Sequence, residues 1–114
     1  MDFEIKRREK HPRGEIFTLS VGDGNVDVLL TSHAYLRTMK WGLRVKQVLE
    51  VILFPEEVVL GHRNRYIAHR LSGDHVIRVI YEYKEKLPVI ITVYYPYSKR
   101  YFQGGGTYED KILR

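Results

Sequence analysis

Between residues 45 and 53 the chain sets Val45, Val48, Leu49, Ile52 and Leu53 at i, i+3, i+4, i+7 and i+8. That spacing makes one apolar stripe on an α-helix, and Pro55 stops the helix because it lacks an N–H and its ring clashes with the preceding turn. Downstream the apolar period changes from about four to two. Residues 57–60, 65–71, 76–83 and 89–95 read as strands, joined through Gly61-His62-Arg63-Asn64, Ser72-Gly73-Asp74 and Glu85-Lys86-Leu87-Pro88. Strands linked this tightly form an antiparallel meander. A helical layer must cover one side of it, since a sheet this apolar cannot leave both faces wet. The fold class is therefore α+β.

The helical layer has a second member. Thr31 or Ser32 can N-cap a helix over 33–40, in which Leu36 and Met39 sit at helical spacing and Gly42 is suited to C′. Upstream, residues 15–21 and 26–30 flank Gly22-Asp23-Gly24-Asn25 and predict a hairpin. Two short helices on a mainly antiparallel meander of about four strands, preceded by this hairpin, is the expected architecture. Residues 1–14 read as a basic arm, 15–103 as the single α+β domain, and 104–114 as a glycine joint and tail. At 114 residues one domain with one modest core is the natural unit.

Charge and composition narrow the function. The chain has no cysteine, so a disulfide scaffold, a thiol nucleophile and thiolate metal sites drop out. No signal peptide and no run of about 18 apolar residues is visible, which predicts a cytoplasmic protein without a membrane partner. The net charge of +5 favours a polyanionic partner such as RNA, or an acidic protein. Five histidines show no helical ligand pairing, so no metal and no other cofactor is expected. Gly104-Gly105-Gly106 lacks the Lys-Ser/Thr of a phosphate-binding loop, and no Gly-x-Ser-x-Gly elbow occurs.

What remains is histidine, arginine and tyrosine. His33 and Arg37 are i, i+4 on one helix face. His69 lies on the strand after the basic turn of Arg63 and Arg65. Arg78 interrupts Val76-Ile77-Arg78-Val79-Ile80, and parity separates it from Ile77 and Val79. A guanidinium there either meets a carboxylate or opens into a cleft. Tyr95, Ser98, Arg100 and Tyr101 crowd the end of the last strand. Such residues suit RNA cleavage, in which the 2′-hydroxyl is the nucleophile, histidine moves protons, arginine forks onto phosphate and tyrosine stacks on a splayed base. The same residues suit a binding module without catalysis, or a protein-interaction domain whose charge is incidental.

The stretch SHAYLRTMKWGLRVKQVLEVILFPEEVVLGHRNRYI, with HVIRVIYEY and PVIITVYYPYSKRY, resembles a domain family of unassigned function. That family looks like a compact relative of the RelE/barnase-like ribonuclease toxins, over roughly residues 31–101. The resemblance implies a RelE-like fold and a metal-independent endoribonuclease of toxin type, neutralised by an acidic antitoxin. It places catalysis on His33, Arg37, Arg78 and Arg100. Substrate binding falls to Arg63, Arg65, His69, Tyr95, Ser98 and Tyr101.

Overall fold

The computed structural model describes residues 2–99. Expectations that fall on Arg100, Tyr101 and the segment 104–114 lie outside the described residues. The order is β1 (Glu4–His11), β2 (Gly14–Val21), β3 (Gly24–Thr31), α1 (Ser32–Lys40), α2 (Val45–Leu53), β4 (Glu57–Leu60), β5 (Tyr66–Ser72), β6 (His75–Lys84) and β7 (Leu87–Tyr94). The strands form one seven-stranded sheet in the order β1-β2-β3-β7-β6-β5-β4. Every pairing is antiparallel except β3 with β7. The class is α+β, with more strands than the sequence discloses.

The extra strand comes from the amino-terminal stretch read as an arm. Glu4–His11 pairs along β2 through a tight turn at Pro12 and Arg13. Ile5 is its one apolar residue, so no alternation marks it, but an edge strand tolerates lysine and arginine because one side faces only water. Ile5 pairs with Leu19 and Arg8 with Phe17, so the strand sits in register with the core despite its composition.

α1 begins where the sequence predicts. Thr31 is extended (φ −67°, ψ 157°), and its hydroxyl accepts from the Ala34 N–H at 3.1 Å. The same hydroxyl donates to the Ile90 carbonyl at 2.8 Å, so one side chain caps the helix and binds it to β7. The helix ends in a Schellman motif: the Leu43 N–H donates to the Thr38 carbonyl and the Gly42 N–H to the Met39 carbonyl, both at 3.0 Å. Gly42 sits at φ 70°, which favours glycine. Trp41 Nε1 donates to the Val93 carbonyl at 2.8 Å, fixing the other end of α1 over β7. α2 lies over β5 and β6 and buries Val48, Leu49 and Val51.

Both helices cover the same side of the sheet. Ala34, Leu43, Val48 and Leu49 form one core with Phe17, Leu30, Ala68, Ile77, Val79, Tyr81, Ile90 and Val93. A bulge between β6 and β7 keeps Ile90 and Val93 on this side although three positions separate them.

Thr31→Val keeps the side-chain volume while removing the cap and the bond to Ile90. Urea unfolding should lose about 1–3 kcal/mol with an unchanged m-value. Thr18→Val, which removes only the exposed bond to Asp27, should cost under about 1 kcal/mol. Equal effects would show that Thr31 does not join the two layers.

Candidate functional site

The register gathers a row of functional groups on the face opposite the helices. In β6, Ile77 and Val79 belong to the helical core, so Arg78 between them points to the far face. Arg78 stands directly across from His69 of β5 and from Tyr94 of β7. His69 in turn pairs with Glu57 of β4. The four positions Glu57, His69, Arg78 and Tyr94 thus lie in one line across four strands.

The centre of that row is closed and its ends are open. Arg78 is 1% exposed and His69 4%, whereas Tyr94 is 41% exposed and Glu57 is exposed. Burial, and then the positive charge of Arg78, push His69 down to about 4. The imidazole is therefore neutral at physiological pH. One residue pair along, Thr92 faces Ile80 on the same side, and its buried hydroxyl has no hydrogen-bond partner among the described residues. Apolar Leu29, Ile67, Val76 and Val89 are buried and stand outside the helical core.

The other expected site residues distribute elsewhere. His33 and Arg37 sit on α1, in the layer across the sheet from Arg78. His33 is exposed, and Arg37 is half-buried with its Nε unpartnered among the described residues. Arg63 is exposed in a short 3₁₀ turn (His62–Asn64) at φ 56°. Arg65 forms a surface ion pair with Glu82 at 3.2 Å. Tyr95 stacks on His75 with ring centroids 4.3 Å apart, and Tyr97 contacts the same imidazole at 4.2 Å. His75 Nδ1 lies 2.7 Å from an Asp74 carboxylate oxygen. The Ser98 hydroxyl and N–H both donate to the Asp74 carbonyl. Tyr95 and Ser98 thus fasten the chain after β7 to the start of β6.

Among these residues, the structure brings together His69 and Arg78, and it adds Glu57, Tyr94 and Thr92. The sequence carries the signal for this row in its strand parity, but the pairing register that aligns Glu57 with His69 is not visible before folding.

Residues 30–95 match the family described as DUF4258, a domain of unknown function. The chain is a DUF4258 protein. The matched segment runs from the last residues of β3 through β7, so it contains both helices and all four strands of the row, while β1 and β2 lie outside it. No curated protein and no solved structure matches the chain.

In this DUF4258 protein the depressed His69 has a consequence for stability. The folded state holds His69 neutral down to about 4, while the unfolded chain binds a proton near 6.5. Its contribution is therefore complete above about pH 6.5 and is lost as pH falls toward 4, by at most on the order of 3 kcal/mol. Carboxylates titrate in the lower part of that window, so the comparison is with His69→Gln. The stability gap between wild type and variant should shrink from pH 7 to pH 4. A gap that stays constant would show that His69 is not held neutral.

Proposed function

We propose that the protein is a metal-independent endoribonuclease of toxin type, acting at the far face of the sheet. The observation that supports this most is the cross-strand pairing of a neutral histidine with an arginine, flanked by an exposed tyrosine and an exposed carboxylate. RNA supplies its own nucleophile, so the protein needs only a base, a cation for the phosphate and a surface for the base ring. This reading assigns those roles to His69, Arg78 and Tyr94. His33 and Arg37, in the opposite layer, are left out of the chemistry.

The proton balance follows from the charges. The Arg78 guanidinium forks onto two non-bridging phosphate oxygens. The bound anion offsets the Arg78 charge, the lesser of the two causes that depress His69, and the opening of this face relieves the larger one, burial, so the imidazole gains basicity when substrate is in place. The 2′-oxygen attacks phosphorus as its proton passes to His69, the bond to the 5′-oxygen breaks, that oxygen takes a proton from solvent at the open Tyr94 end, and His69 then releases its own proton to the same solvent. A 2′,3′-cyclic phosphate and a 5′-hydroxyl result. With His69 and Arg78 closed to solvent, a phosphate reaches them only after this face opens. An acidic antitoxin-like protein is the proposed partner, given the net charge of +5.

Single-stranded RNA should be cleaved in EDTA with 2′,3′-cyclic phosphate ends. His69→Gln should lower the rate by about 10²–10⁴-fold, while His33→Gln leaves it within about threefold. Circular dichroism melting separates loss of chemistry from loss of fold. RNA binding that weakens steeply with salt but never leads to cleavage would replace the enzyme with a binding module. Absence of both would remove nucleic acid as the ligand.

A further inference from the structure

A second surface lies on the helical side, between α1 and the β1–β2 hairpin. At 100° per residue, the buried line of α1 runs through Ala34 and Thr38. His33, Arg37 and Lys40 fall on one flank of that line. Tyr35, Leu36 and Met39 fall on the other and on the outer surface. Exposing three large apolar side chains on a nine-residue helix is unusual for a surface that meets only water: Leu36 is 65% exposed, Met39 43% and Tyr35 42%.

Tyr35 and Leu36 border a groove of about 480 Å³, and Met39 lies one turn beyond it on the same exposed side of α1. Tyr35 and Leu36 form one wall, and Arg8, Lys10 and Glu15 form the other. Gly14 and Leu30 line it between them, at a point where the two backbones nearly touch: a Cβ on Gly14 would lie 2.1 Å from the Leu30 carbonyl oxygen. One wall is therefore apolar and the other is charged.

The sign of that charge is positive. Arg8 donates twice to Glu15, at 2.8 Å each, so those two charges cancel. Lys10 remains on the wall as its uncompensated charge, while the carboxylates of the same strand do not border the groove: Glu4 and Glu9 pair with Ser20 and Ile16, which alternate with the core residues Phe17 and Leu19. α1 contains no carboxylate, and its first turn therefore leaves the positive end of the helix dipole uncompensated.

We infer that this groove docks an acidic amphipathic segment of a second protein, with its apolar side on Leu36 and Met39 and its carboxylates on Lys10 and the edge of β1. A nine-residue helix is about 13 Å long, which matches two to three turns of a partner helix. The inference gives a location to the acidic partner of the preceding section and does not depend on the nuclease chemistry, because the groove lies across the sheet from His69 and Arg78.

The test uses the full chain and three labelled synthetic helices read by fluorescence anisotropy. One carries leucines at i, i+3, i+4 and i+7 with glutamates elsewhere. The second keeps the leucines with lysines in place of glutamates, and the third scrambles the first. The acidic amphipathic helix should bind at least about tenfold more tightly than either control. Leu36→Glu should weaken it by about tenfold or more without changing the melting temperature, since Leu36 is exposed. Lys10→Glu should weaken it several-fold and reduce its salt dependence. Equal binding of the scrambled peptide, or no effect of Leu36→Glu, would overturn the inference. A dimer that dissociates on Leu36→Glu would assign the groove to a second copy. Displacement of the peptide by RNA would assign it to nucleic acid. Either result also overturns it. RNA cleavage measured on the same variants fails or survives separately.

Discussion

A single parallel pairing holds the architecture together. Among the described residues, Leu29 with Val89 and Leu30 with Ile90 are the ladder pairs through which the amino-terminal three strands join the carboxy-terminal four in one sheet. A parallel join cannot be made by a hairpin, so everything between β3 and β7 must cross over, and both helices belong to that crossover. Thr31 stands where the pairing ends, capping α1 while bonding to the Ile90 carbonyl. The helices are thus fixed to one side of the sheet by the same few residues that close it. The far side is left to a different set of side chains.

That division decides which polar groups can meet. Arg78 and His69 share a face because they are direct cross-strand partners, and β6 gives its alternate positions to the helical core. His33 and Arg37 are close in sequence to each other and remain close in space, but the sheet stands between them and Arg78. The burial of Arg78 beside a neutral imidazole is the feature most unlike an ordinary core. The proposed chemistry depends on what that setting does to His69: burial, and then the charge of Arg78, hold its imidazole neutral.

Much of the fold was legible in local pattern. The Thr31 cap, Gly42 at C′, the stop before Pro55 and the alternation of β5, β6 and β7 all follow from residues within a few positions of one another. β1 escaped because its lysines and arginines mask the pairing of Ile5 with Leu19 and Arg8 with Phe17. The candidate site was legible only in part. Arg78 was visible as a polar interruption of an apolar strand and His69 as a histidine on the strand after the basic turn, but Glu57, Tyr94 and Thr92 depend on register, which is a long-range property. The tyrosines at the end of β7 divide in a way no local pattern announces: Tyr94 joins the row, while Tyr95 and Tyr97 enclose His75.

The most direct measurement is the titration of the His69 imidazole nitrogens by NMR, in the free protein and with a 2′-deoxy-blocked RNA oligonucleotide bound. The account predicts a midpoint near 4 in the free protein, moving toward neutrality once a phosphate offsets Arg78. A free-protein midpoint near the ordinary histidine value, or an oligonucleotide that binds while leaving His69 unchanged, would contradict it.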